Sequence, residues 1–281
     1  MSGLRSSVSY FDRIFDKASS EKYLLSIRFH PDGLFFSVFD ADSQKYIGFQ
    51  SEILAGVTDI YKYLSTDGLL RNSFQKSVVI IPTSKYTIVP GSLYIPEMIS
   101  EYFSFVHQLP VHDELRACDL ITDDAKVVYS SNIAWFQLIE EFFPSATVLP
   151  GITAHANYCL PKFKGSRKSV MLLNLYDDNF DMVLLEEGKL KFCNNFNFKS
   201  AEDIIYYTIF VIDQLKVNAE KVEIKLSGNI QEKSNLIKLL RKYIRTVDVL
   251  DYHNNIQLSY ALSEVEIFRY FDLFNPRLCE L

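Results

Sequence analysis

Two stretches of this chain follow one plan, and that plan limits the folds open to it. The first, YLLSIRFHPDGLFFSVFD from Tyr23 to Asp40, sets two apolar runs around a Pro-Asp-Gly turn. KYIGFQ, Lys45 to Gln50, continues it as a third strand after a polar turn at Asp42 and Ser43. The second, VMLLNLYDDNFDMVLLEEGKLKF from Val170 to Phe192, again places two apolar runs around a polar turn. Its third run, GKLKFCNNFNF, enters through a tight Glu-Gly turn. Three meandering strands occurring twice, each set followed by helical segments, require two mixed sheets.

The segments after each meander support this reading. After the first, Ser51 is placed as the N-cap of a helix in which Leu54, Val57, Ile60/Tyr61 and Leu64 recur at helical spacing. SVVIIP, Ser77 to Pro82, has the continuous apolarity of a buried central strand. A helix is expected over Pro96 to Leu109, a strand over Lys126 to Ser130, and a helix over Ser131 to Phe143. ATVLP then forms a short strand, and a further helix covers Ile152 to Leu160. After the second meander comes a helix from Ser200 to Val217, with Ser200 as N-cap and Asp203 at the capping-box position. VEIKLSG is a strand ending at Gly228, IQEKSNLIKLLRKYI a helix and TVDVLD a strand. The tail, Leu258 to Phe274, is expected to be helical. Both halves are therefore read as three-layer α/β/α units, joined through the basic linker KFKGSRK, Lys162 to Lys168.

Composition excludes several classes. With 281 residues, 48% apolar, the chain can bury one large core or two medium ones. The net charge of −6 is mixed along the sequence and leaves no basic stripe for a nucleic-acid backbone. The short patch at Lys162 to Lys168 is read as a solvated linker, with an anion or partner contact as the other reading. Cys118, Cys159, Cys193 and Cys279 are scattered and form no CxxC pair, so neither a disulfide scaffold nor a zinc knuckle is expected. No apolar run reaches bilayer length and the N-terminus has no signal-type apolar core, so the cytoplasm is the expected location.

The element order resembles the duplicated ribonuclease-H-like fold of the actin, hexokinase and Hsp70 superfamily. The whole chain also resembles DUF3822, a family of uncharacterised proteins from Bacteroidetes. The resemblance implies a first subdomain over 1–163 with an N-terminal extension, and a second over 164–281 whose C-terminal helix would pack at the interdomain region. In that superfamily the first hairpin of each half faces a nucleotide cleft. An Asp on the first strand manages the magnesium waters, and small residues let backbone N–H groups approach the phosphates.

Carried onto this sequence, the first Asp position falls near Ser26 or Arg28, and the second near Asn174. None of these is a carboxylate. The first turn offers bulky His30, Pro31 without an amide proton, Asp32, and only Gly33 as a small residue. Asp32 is first a turn former, although it is also a substitute ligand in principle. The second turn, Tyr176 to Asp181, carries Asp177, Asp178 and Asp181. Those three carboxylates repel a polyphosphate unless a divalent ion sits among them, and an ordinary solvent-facing turn is the plainer reading. The superfamily's adenosine-packing Gly pair has one trace, Leu226-Ser227-Gly228-Asn229. Any nucleotide is therefore expected at Gly33, Ser227, Gly228 and Asn229, and any metal at Asp177, Asp178 and Asp181.

Other chemistries lack their residues. There is no P-loop, no GxGxxG, no GxSxG elbow and no set of first-strand carboxylates for a two-metal nuclease. His107, His112 and Cys118 have no compact zinc spacing. His155 and Cys159, four apart on a helix, fit packing better than catalysis. The expectation is an actin-like frame without catalysis or cofactor, serving as a scaffold or interaction module for a protein partner. The alternative is a divergent ATP- and Mg-binding protein. Fold analogy adds a peptide-binding module related to secretion or pilus-assembly actin-like proteins.

Overall fold

The computed structural model describes residues 7–83, 85–121, 124–230, 235–251 and 257–275. Contacts divide the chain into two compact units. Unit 1 is drawn from Met1–Ala154, Asn255–Val265 and Asp272–Leu281, and unit 2 from His155–Asn254 and Glu266–Phe271.

Unit 1 begins with β1 (Val8–Phe11), then the expected meander of β2 (Tyr23–His30), β3 (Gly33–Asp40) and β4 (Lys45–Ile53). Helix α1 (Gly56–Thr66) leads to β5 (Lys76–Ile81). The main sheet runs β1-β4-β3-β2-β5-β9, with β9 at Thr147–Pro150 and the short β15 (Gln257–Leu258) against β4. The meander is antiparallel, whereas β5 joins β2, and β9 joins β5, in parallel. The central strand β3 is buried along almost its whole length, as its run Leu-Phe-Phe-Ser-Val-Phe requires.

Between β5 and β9 the chain builds a separate three-stranded sheet, in order β6-β8-β7. It comprises β6 (Lys85–Pro90), helix α2 (Ile99–Ser104), β7 (Asp113–Asp119) and β8 (Ala125–Asn132). Helix α3 (Ile133–Phe142) follows, capped by the Asn132 side chain, and its Trp135 ring stacks on Phe29 at 5.6 Å. Helix α4 (Gly151–Lys162) opens directly from β9.

Unit 2 repeats the main sheet. β10 (Val170–Leu175), β11 (Asn179–Glu186) and β12 (Lys189–Asn197) form the antiparallel meander. Helix α5 (Ala201–Gln214), β13 (Glu223–Gly228), α6 (Asn235–Leu240) and β14 (Thr246–Val249) complete it. The order β12-β11-β10-β13-β14 matches β4-β3-β2-β5-β9 of unit 1 strand for strand, with the last two strands again parallel. Each half also carries a register shift in its second-to-third strand ladder, at Val38/Phe39 and at Leu184/Leu185. One face of the unit 2 sheet, through Leu173, Leu175, Phe180, Met182 and Leu226, forms a core with Ile204, Val211 and Leu240 of the two helices.

Four sequence expectations are corrected. Ser51 is not a helix cap: it lies in β4, opposite Val8 and Phe35, and α1 begins at Gly56. The helix expected over Pro96 to Leu109 is a 3-10 turn at Pro96–Met98 followed by the six-residue α2. Strands β6 and β7 were not expected at all. The C-terminal helix is instead a run of 3-10 turns at Tyr260–Leu262, Ile267–Arg269 and Phe271–Leu273. Part of the helix expected from Ile230, residues 231–234, lies outside the described residues.

Candidate functional site

In unit 1, Leu25, Ile27 and Phe29 point to one face of β2, so Ser26 and Arg28 point to the other. Ser26 stands opposite Ser37, whose hydroxyl donates to the Leu273 carbonyl at 2.6 Å. One step along, the Arg28 guanidinium donates to both carboxylate oxygens of Asp272, at 2.9 and 3.0 Å. Its carbon also lies 4.8 Å from the Phe35 ring centroid. The side chains are 13% and 1% exposed, so this is a buried ion pair. Of the two positions near which the resemblance places the first-strand acid, Ser26 and Arg28, the second is thus a guanidinium held by a carboxylate from the C-terminal tail.

The adjoining turn uses its own polar groups. Asp32 donates its N–H to Nδ1 of His30 at 3.2 Å, and the carbonyls of Pro31 and Asp32 accept from Gly56 and Leu54. Gly33 is small for a packing reason, because a Cβ there would meet the Glu52 carbonyl oxygen at 2.3 Å. The residue that resembled a phosphate-loop glycine is required by the approach of β4.

Unit 2 contains a feature that the sequence reading missed. Asn195 of β12, Asp181 of β11, Asn174 of β10 and Ser227 of β13 stand directly opposite one another, forming a polar row across four strands. It crosses the sheet face opposite the apolar core. Asn195 donates to Asp181 Oδ1 at 2.8 Å, and Ser227 donates to Asn174 Oδ1 at 2.9 Å. The Tyr176 hydroxyl donates to Asp181 Oδ2 at 3.0 Å. Against the same oxygen, also at 3.0 Å, lies Nδ1 of His155 on α4, in contact but outside hydrogen-bond geometry. His155 is fully buried and stacks on Phe271 at 4.8 Å.

Asp181 is therefore a buried strand residue, 5% exposed, and not part of a solvent-facing turn. Asp177 and Asp178 are exposed in the turn. Asp178 accepts from Asn179 at 2.8 Å, and Asp177 accepts from Asn229 at 2.6 Å. Among the described residues no three His, Cys, Asp or Glu side chains converge as a metal site would need. Ser227 and Asn229 are likewise engaged within the protein, Asn229 also accepting from Arg269 at 3.0 Å. Gly228 has φ of +79°, and a Cβ there would stand 2.2 Å from the Leu175 carbonyl oxygen. The structure thus joins Asn229 to Asp177 and leaves Gly33 in the other unit.

The remaining candidates are dispersed. His107 binds the Tyr86 carbonyl at 2.9 Å, and Cys118 contacts Thr153 at 3.4 Å. Burial pushes the Cys118 and Cys159 thiols up to about 12, so neither forms a thiolate nucleophile near neutrality. Among the described residues no helix is long and apolar enough to cross a membrane.

Two mixed-sheet α/β/α halves of matching strand order define this as a protein with the actin-like ATPase fold. A crystal structure from Bacteroides thetaiotaomicron, described as a protein with actin-like ATPase fold and unknown function, superposes with a TM-score of 0.77 at 24% identity, over 84% of this chain and 94% of that one. A chain from a PilM–PilN type IV pilus biogenesis complex superposes with a TM-score of 0.62 at 11% identity, over 92% of this chain and 99% of that one. The chain belongs to the DUF3822 family of proteins of unknown function, whose model matches residues 12–247. Comparison with curated proteins yields no match.

Proposed function

We propose that this chain is a catalytically inactive protein on the actin-like frame, acting as a scaffold or protein-interaction module. The observation that carries the reading is the Arg28–Asp272 pair. A cation stands at or beside the position, near Ser26 or Arg28, where the superfamily carries its first-strand acid, and the Asp272 carboxylate is engaged in holding that cation. Mg²⁺ needs hard oxygen ligands that remain free to bind it or its waters. The first hairpin adds a proline without an amide proton and an amide turned to His30. In the second half the equivalent position is the neutral Asn174, whose oxygen accepts from Ser227. The PilM–PilN complex contains a chain of this fold assembled with another protein, and fold analogy extends that role here.

The alternative, ATP binding with Mg, draws on the Asn229–Asp177 contact, which places a candidate nucleotide residue beside a candidate metal residue. Calorimetric titration with Mg-ATP separates the two. The inactive reading expects no saturable heat up to millimolar nucleotide and no phosphate release. Micromolar binding that weakens in both Asn229→Ala and Asp177→Ala would establish the alternative.

A further inference from the structure

The connection between β6 and β7 of unit 1 concentrates exposed apolar side chains. Fifteen large apolar residues are strongly exposed among those described, and seven fall within the nineteen positions from Leu93 to Val111. They are Leu93, Ile95, Met98, Phe105, Val106, Leu109 and Val111, with Phe105 at 91% and Val111 at 81% exposure. Seven strongly exposed apolar side chains in one nineteen-residue segment exceed the scattered single hydrophobics of an ordinary surface. Isolated monomers rarely leave so much apolar surface uncovered.

The segment is held from beneath. Phe103 is buried in a small core with Val89 and Val128. The Tyr102 hydroxyl donates to the Leu93 carbonyl at 2.5 Å and accepts from the Ile95 N–H at 3.1 Å. Lys85 Nζ donates to the Gln108 carbonyl at 3.1 Å, and His107 binds the Tyr86 carbonyl. The strand side of the segment is therefore tied down and its apolar side chains are presented outward. Ordering of this kind lowers the entropic cost of binding.

Charge selects the occupant. From Tyr86 to Leu115 there is no Lys or Arg, whereas Glu97, Glu101, Asp113 and Glu114 all lie in that interval. Glu97 and Glu101 are exposed within the apolar strip, and neither has an ion-pair partner among the described residues. Of the cations on this sheet, Lys85 is tied to the Gln108 carbonyl, Lys126 is paired with Asp119, and Arg116 is paired with Glu114 and Glu140. An acidic, apolar surface repels anionic lipid and attracts Lys and Arg.

We infer that this strip docks a cationic amphipathic segment of a partner protein, apolar side chains seated on Phe105 and its neighbours and Lys or Arg facing Glu97 and Glu101. The inference rests on the interaction-module reading and names the surface and partner class within it. The test uses the full chain and a fluorescein-labelled helical peptide of Leu and Lys, with a Leu/Glu peptide of the same pattern as control. Anisotropy should show saturable binding of the Leu/Lys peptide only. The dissociation constant should rise at least tenfold in Phe105→Ser/Val111→Ser and in Glu97→Lys/Glu101→Lys, with Trp135 emission and thermal unfolding unchanged. Equal affinity in the variants would overturn the inference. So would Phe105-dependent dimerisation in light scattering, or flotation with phosphatidylglycerol vesicles lost in the same variants, since either assigns the strip to another occupant. Mg-ATP titration of the same preparations separates this result from the wider reading. Nucleotide binding together with peptide binding removes the inactive assignment and keeps the docking strip; failure of both removes the strip alone.

Discussion

The Arg28–Asp272 pair gives a quantitative test of how unit 1 is held together. Asp272 is 1% exposed and Arg28 13%, so removing either partner leaves a charge facing a site with little water. Breaking such a buried pair from one side costs about 3–5 kcal/mol, much of it the uncompensated charge. Arg28→Met also forfeits the contact with the Phe35 ring, worth ~1 kcal/mol. Asp272→Leu retains that contact but removes the carboxylate that accepts two hydrogen bonds from the buried guanidinium. Replacing both, as Arg28→Met/Asp272→Leu, removes the charges together and should return to within about 2 kcal/mol of the parent. Trp135 is the chain's single tryptophan, buried in unit 1 against Phe29, so its fluorescence reports unfolding of the relevant unit. With a urea slope of ~2 kcal/mol/M, Asp272→Leu should lower the midpoint by roughly 1.5–2.5 M, Arg28→Met by roughly 2–3 M, and the double variant by less than about 1 M. Single variants costing under ~1 kcal/mol, or a double variant equal to the sum of the singles, would refute the claim that the two charges compensate each other.

Further outcomes follow from individual contacts. Ser200→Ala removes half of a complete capping box on α5 and should cost ~1 kcal/mol in urea unfolding followed by circular dichroism. The Asp203 carboxyl is held below its usual range, chiefly by the backbone N–H of Lys199 and also that of Ser200. Its contribution is therefore present above pH ~4 and lost as pH falls through the lowered value, so Asp203→Asn should be less stable than wild type at pH 7 and converge with it in acid. Gly228→Ala should destabilise by roughly 1–3 kcal/mol or more, since its φ of +79° and the 2.2 Å approach to Leu175 leave no room for a Cβ. Cys159, buried and with its thiol raised to about 12, should resist a thiol reagent at pH 8 in the native state and react once urea unfolds the chain, as mapped by mass spectrometry.

The elements legible in the sequence were those whose local chemistry and tertiary role agree. Both meanders have apolar runs closed by turn residues, and the α5 capping box is written out as Ser200 and Asp203. The order of strands and helices then carried the duplicated fold. Strand β7, Asp-Glu-Leu-Arg-Ala-Cys-Asp, was hidden because it is half-buried throughout and rich in charge. Its Leu115 and Ala117 alternate toward the small core, but two apolar positions make a weak period-two signal. Ser51 looked like a cap because capping chemistry is local, whereas β4 is lengthened by pairing with β1, more than forty residues earlier. The partners of Arg28 and Asp181 were illegible for the same reason. Asp272 is 244 positions from Arg28, and Asp181 meets His155 only once α4 has packed on the sheet. A carboxylate in an apolar strand, between Phe180 and Met182, was the available signal for the second case, because a buried charge requires partners.

The two halves share a frame but resolve the same problem in opposite ways. Each sheet must have a second face beside its apolar core, and each first strand puts polar residues on that face. In unit 1 the solution is ionic: Arg28 is neutralised by Asp272, while Ser37 fastens the neighbouring backbone at Leu273. In unit 2 it is a hydrogen-bonded row, in which Asp181 spreads its charge over Asn195 and Tyr176 and Asn174 is matched by Ser227. A metal–phosphate site needs donors and ligands that stay unsatisfied until the ligand arrives. On these two faces Arg28 is engaged by Asp272, Asp181 by Asn195 and Tyr176, and Asn174 by Ser227, and burial makes releasing any one of them costly. On these strands the Arg28–Asp272 pair and the contacts of Asp181 with Asn195 and Tyr176 act as fastenings for the fold. The proposed docking surface lies instead on side chains such as Phe105 and Val111, which stand 91% and 81% exposed.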